Sequence, residues 1–115
     1  MTTEALTPSR QIIDAVDAWP GVNVTPGNRG SSVSIRFGKR ELGHLHGDHA
    51  LHLGFPKGVW SELYEQGRID YHPVFPGKPG FAARRIESED DVRDVIALLR
   101  VNYDRVLERY GLPED

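Results

Sequence analysis

Residues 31–54 read SSVSIRFGKRELGHLHGDHALHLG, and the way this stretch pairs with itself decides the architecture. From Ser31 to Phe37 the residues alternate, with Val33, Ile35 and Phe37 on one face and Ser32, Ser34 and Arg36 on the other. That is the period of a half-buried strand. Gly38-Lys39 suits a two-residue type II′ turn, whose first position needs a positive φ, and Gly47-Asp48 suits the same turn further on. The two turns predict a register: Phe37 opposite Arg40, Ile35 opposite Leu42 and Val33 opposite His44, then His46 opposite His49, His44 opposite Leu51 and Leu42 opposite Leu53. One face then carries Val33, Ile35, Phe37, Leu42, Leu51 and Leu53 together with His44, His46 and His49. The other carries Ser32, Ser34, Arg36, Glu41, Gly43, Leu45, Ala50 and His52, with Arg36 facing Glu41 as a favourable cross-strand pair. A one-residue slip in either hairpin would undo this separation of apolar from polar.

Outward from the meander, the flanks read as helices and short strands. Thr7 is a good N-cap and Pro8 a good first helical residue. Ile12, Ile13, Val16 and Trp19 follow at helical spacing until Pro20-Gly21. Val22 and Val24 make a short strand, and Pro26 to Gly30 a turn. Pro56 opens a second helix with Val59, Trp60, Leu63 and Tyr64 as its apolar stripe, and Gly67 closes it. Strands are expected around Ile69 to Tyr71 and from Phe81 to Ile86, on either side of the loop PVFPGKPG at residues 73–80. Ser88 caps a last helix, with Glu89, Asp90 and Asp91 in its first turn and Gly111 and Pro113 at its end. The expected fold class is α+β: a mostly antiparallel sheet, its central meander at about 31–54, with three helices packed on one face.

At 115 residues the chain has the length of a single domain, expected to span 1–115. With 38% hydrophobic and 27% charged residues, it is globular rather than disordered. It has no cysteine, which excludes disulfides, thiolate-bound metals and a thiol nucleophile. The N-terminal residues MTTEALTPSR lack the basic and apolar pattern of a secretory signal, and no apolar window is long enough to span a membrane, so a cytoplasmic location is expected. A net charge of −3 argues against a nucleic-acid partner, which a basic stripe would meet.

Four of the five histidines, His44, His46, His49 and His52, lie in the string GHLHGDHALH. Two histidines two apart on a strand, with a third across a hairpin, can converge on one divalent ion, so His44, His46 and His49 form a tentative metal set, with Asp48 or His72 as a further ligand. His46-Gly47-Asp48 also contains the H-x-D fragment of non-haem iron sites. The plainer reading is of solvated hairpin histidines, or of a buried ring satisfied by a neighbour. Elsewhere, Lys57, Arg68, Lys78, Arg84 and Arg85 make the later chain basic enough to gather an anion, against a default of scattered solvated charge. Gly77-Lys78-Pro79-Gly80 is not a phosphate-binding loop. Trp19, Trp60, Phe81 and Tyr103 are better read as core than as a ligand box.

The strings ELGHLHGDHALHLGFP, GRIDYHPVFPGKPGF and LLRVNYDRV together resemble the small bacterial proteins of the luciferase-domain family. These share a G-H-[ILV]-H-G-D signature, an F-P entry to the second helix, an H-P or H-H pair and a closing R-x-N-Y. The resemblance runs from about Arg36 to Arg105 and marks His44, His46, Gly47, Asp48, Phe55, Pro56, His72, Asn102 and Tyr103 as signature positions. His49 and His52 fall outside it, and the family's tryptophan near Phe81 is missing here. A light-emitting oxidation would need a sizeable enclosed pocket, for which two layers of 115 residues leave little room. A fainter likeness, in the order of elements, is to the MmcQ/YjbR-like proteins.

These readings converge on a domain that binds a small ligand or a protein partner near His44, His46 and His72. Asp48 would order the hairpin, and Asn102 and Tyr103 would meet His44 from the last helix, making six candidate ligand-binding residues. The alternatives are a metal-assisted enzyme using the same histidines, with His72 as base, and a nucleic-acid binder.

Overall fold

The computed structural model describes residues 6–27, 30 and 32–113. The chain runs α1 (Pro8–Asp17), β1 (Val22–Pro26), β2 (Ser32–Phe37), β3 (Arg40–His46), β4 (Ala50–Gly54), α2 (Lys57–Glu65), β5 (Asp70–Tyr71), β6 (Phe81–Arg85) and α3 (Glu89–Tyr110). The strands form one antiparallel sheet in the order β1-β2-β3-β4-β6-β5. The class is α+β, as expected. The turn foreseen at Pro26 to Gly30 lies partly outside the described residues.

The helix ends follow local chemistry. Thr7 Oγ1 accepts from the Arg10 N–H, and Pro8 stands at the first helical position of α1. Ser88 Oγ accepts from the Asp91 N–H and opens α3, whose first turn carries Glu89, Asp90 and Asp91 against the positive end of the helix. Gly67, at φ +74°, lets the chain leave α2. Ile12 and Val16 of α1, Trp60 and Leu63 of α2, and Val95, Leu98 and Leu99 of α3 join Ile35, Leu45, Leu51 and Leu53 of the sheet in one buried cluster. Burial of this apolar surface is the main term favouring the fold.

Two of the five basic residues of the later chain, Arg68 and Arg84, are spent in ion pairs within the fold, while Lys57, Lys78 and Arg85 stay exposed. The Arg84 guanidinium donates to Asp91 at 2.5 Å and Asp94 at 2.6 Å, and Arg68 donates to Asp94 at 2.7 Å, so β6 and the segment before β5 are tied to α3. The Tyr103 ring packs against both Trp19 and Phe37, which places Trp19 and Tyr103 in packing rather than in a ligand box.

The first hairpin forms as expected. Gly38 takes φ +61°, Phe37 pairs with Arg40 and Arg36 with Glu41. Beyond that point the register departs from the expectation. Ile35 pairs with Gly43, Ser34 with His44, Val33 with Leu45 and Ser32 with His46, because β3 carries one extra residue opposite Ile35. The second loop has three residues, Gly47 to His49, so that His46 pairs with Ala50, Leu45 with Leu51 and His44 with His52.

The cause is visible in the packing. Leu42 and Leu45 are both buried, at 1% and 0% exposure. Three residues apart, they cannot face the same side of a regular strand. A bulge at Leu42-Gly43 solves this, since both residues of such a bulge turn toward one face. The second must then be small: a Cβ at Gly43 would lie 3.1 Å from Leu99 and 3.2 Å from Leu53. The bulge moves His44 and His46 from the expected core face to the opposite, open face of the sheet, and Gly43 and Leu45 take the inward places.

Candidate functional site

The open face of the sheet holds the site. Alternation from the bulge onward sends His44 and His46 of β3 out of the core, and their cross-strand neighbours Ser34, Ser32 and His52 go with them. His72 follows β5 directly and reaches the same place from the adjoining turn, which is closed by the Phe75 N–H donating to the His72 carbonyl at 3.0 Å. These four imidazoles, with Thr25, Ser32, Ser34, Arg36, Glu41 and Phe75, line one hollow of about 570 Å³.

The rings touch in a chain. Their centroids are 4.8 Å apart for His44 and His46, 4.3 Å for His46 and His52, 5.3 Å for His44 and His52, and 4.2 Å for His52 and His72. One ring nitrogen each from His44, His52 and His72 falls within 4.8 Å of the others. At the rim, His44 Nδ1 lies 2.9 Å from Glu41 Oε1, and Glu41 Oε2 accepts from Ser34 Oγ at 2.7 Å. Burial works against the Glu41 carboxylate, but these hydrogen bonds and the charges of His44 and Arg36 bring its pKa below the ordinary value. His72 Nδ1 accepts from the Val74 N–H at 3.1 Å.

Burial lowers the His52 pKa to about 4, and the neighbouring His46, His72 and His44 push in the same direction. His72 is lowered too, by burial and then by His44 and His46. The unfolded His52 ring titrates near 6.5. Between that pH and about 4 the unfolded chain binds more protons, so stability is full above the window and falls as pH falls through it. With the discount that a partly exposed ring requires, His52 accounts for a loss of about 1–2 kcal/mol. Urea denaturation at about pH 7.5 and about pH 4.5 measures it, and the difference shrinks in His52→Ala. An equal difference in wild type and variant would contradict this account of the ring.

Several expected positions lie elsewhere. His49, expected in the tentative metal set with His44 and His46, sits in the hairpin loop, and the ring nitrogens that lie within 4.8 Å of one another are those of His44, His52 and His72. Asp48 does not close its own turn. Its Oδ1 accepts from the Ser9 N–H at 2.9 Å, which ties the hairpin to the first turn of α1, and hydrogen bonds from the Ser9 hydroxyl and then the Ser9 N–H hold its pKa below the usual carboxylate value. Asn102 and Tyr103 belong to the core side of the sheet and do not meet His44. The Asn102 amide donates to the carbonyls of Leu42 at 3.1 Å and Gly54 at 2.8 Å, and the Tyr103 hydroxyl donates to the Pro20 carbonyl at 2.6 Å. His52, expected on the polar face but assigned no role, is the residue the site gains. Leu51 and Leu53 on either side of it are both core, which is the signal that pointed to its direction.

An antiparallel sheet with helices on its apolar side and an imidazole-lined hollow on its open side defines a small α+β protein with a polar pocket. The luciferase-domain family model matches residues 39–102, more than half of the chain and every element from β3 to most of α3. The chain belongs to the luciferase-domain family. No curated protein and no solved structure gives a significant match. Among the described residues, no helix is long and apolar enough to cross a membrane.

Proposed function

We propose that this protein binds a small polar ligand in the hollow on the open face of its sheet, with His44, His46, His52 and His72 as the recognising groups. The observation that carries the proposal is the convergence of four imidazoles from β3, β4 and the turn after β5 on one cavity of about 570 Å³, a size in the range of small-molecule sites. With the pKa values of His52 and His72 lowered, these rings are neutral near pH 7. A neutral ring offers one donor and one acceptor, so the pocket favours a ligand with both. Arg36 at one wall and Phe75 at another favour a planar molecule carrying an acidic or phenolic group. The cytoplasmic setting that the composition suggests is part of the same proposal.

The test is a titration of metal-free protein with small aromatic acids and phenols, followed by the imidazole resonances of all five histidines. The proposal expects shifts at His44, His46, His52 and His72, with His49 unmoved. Shifts confined to other surfaces, or none across the panel, would remove it. A second reading, a metal-assisted enzyme, draws on the closeness of the ring nitrogens of His44, His52 and His72.

A further inference from the structure

We infer that His44, His52 and His72 form a binding site for one divalent transition ion of the zinc type. The inference rests on the reading of the hollow as a binding site and goes further by naming what its floor holds. His44 and His52 are directly paired residues of neighbouring strands, so their rings rise from a rigid base. His72 comes from a third element and closes the set from the side. The three donor atoms already lie within 4.8 Å of one another. Tetrahedral ligands at Zn–N distances of 2.0–2.1 Å stand about 3.3 Å apart, so the donor atoms draw together by at most about 1.5 Å on binding.

The surroundings fit the same role. Glu41 Oε1 sits 2.9 Å from His44 Nδ1. A carboxylate in that place holds the proton on Nδ1 and leaves the Nε2 lone pair for the ion, the arrangement that orients metal-bound histidines generally. Ser34 Oγ in turn fixes Glu41. Three imidazoles with no carboxylate among them select a borderline-soft ion over magnesium or calcium. Three protein ligands leave a fourth position, and here it opens on the hollow, where a water or a ligand atom would take it.

Binding of an ion through His72 has a local consequence. In the metal-free protein its Nδ1 accepts from the Val74 N–H. If Nδ1 binds the ion, that lone pair is taken. If Nε2 binds it, the proton moves to Nδ1 and two donors face each other. Either way the Val74 hydrogen bond breaks, so filling the site is coupled to movement of the turn at residues 72–75.

The experiment is zinc and cobalt titration of protein purified without a histidine tag and stripped with chelator. The inference expects uptake of one ion per chain, intense visible absorption from tetrahedral cobalt, and a shift of the Val74 amide resonance. His52→Ala and His72→Ala should each weaken zinc binding by at least about 100-fold, and Glu41→Gln by about 10-fold or more, while His49→Ala leaves it unchanged. Absence of stoichiometric uptake, or equal uptake in His52→Ala and His72→Ala, overturns the inference. If the stripped protein still binds aromatic acids at the four imidazoles, only the ion falls and the pocket stands. If neither ion nor aromatic acid binds, both fall.

Discussion

Leu45→Ala is expected to destabilise the protein by about 2–5 kcal/mol, and His44→Ala, one residue away, by less than about 1 kcal/mol. Leu45 is fully buried in the cluster that joins the sheet to α1 and α3. Its truncation removes apolar contact and leaves a cavity that close-packed neighbours fill only in part. The His44 side chain is about one-third exposed, and its bond to Glu41 lies near solvent, where such pairs contribute little. Without the bulge the two residues would exchange faces and the order of the two losses would reverse. Denaturant unfolding of the two variants measures both. A larger loss in His44→Ala would mean that His44, not Leu45, lies in the core.

Asn102→Asp is expected to cost about 2–4 kcal/mol despite its equal size. Asn102 is 2% exposed, and its amide donates to the carbonyls of Leu42 and Gly54. One of those carbonyls belongs to the bulge and the other to the end of β4, so a single side chain on α3 clamps both. A carboxylate of the same shape turns two donors into acceptors and faces them with carbonyl oxygens in a buried site. Its alternative is to take up a proton, which draws the variant's stability toward low pH. Thermal or urea unfolding above about pH 7 reads the loss, and a loss below about 0.5 kcal/mol would show that the two bonds are dispensable.

Much of the architecture could be read from the sequence because its signals are local. Thr7-Pro8, Pro56, Gly67 and Ser88 each act within one turn of helix, and Gly38-Lys39 closes a hairpin whose partners are adjacent in the chain. The class, the meander and the limits of the three helices follow from such signals. The register beyond Glu41 depended instead on competition between two parities. Leu42 pairs in phase with His44 and His46, and Leu45 pairs in phase with Gly43. Pattern reading keeps one strict period and so chose the first, whereas burying both leucines requires an inserted residue. The bulge also needs a residue without a side chain at 43, because Leu99 of α3 and Leu53 of β4 crowd the place a Cβ would take.

The site was legible in the same uneven way. His44, His46 and His72 do meet at one hollow, although the expected register placed His44 and His46 on the opposite side of the sheet. His52 was hidden because its role depends on strand pairing that the three-residue loop shifts by one. Asp48, Asn102 and Tyr103, polar residues near the histidines in the expected arrangement, look like site residues from sequence. Each instead holds main-chain atoms, at Ser9, at Leu42 and Gly54, and at Pro20. Polar side chains that satisfy buried or terminal backbone groups and those that meet ligands are the same residue types, and only their neighbours separate them.

Proton–proton contacts among the imidazoles test the bulged register most directly. With ring centroids at 4.3 Å for His46 and His52 and 4.2 Å for His52 and His72, nuclear Overhauser spectra should show cross-peaks from His52 to both rings. Cross-peaks from His44 and His46 to the methyl groups of Leu98 or Leu99, with none to His52, would place the histidines in the core and contradict it.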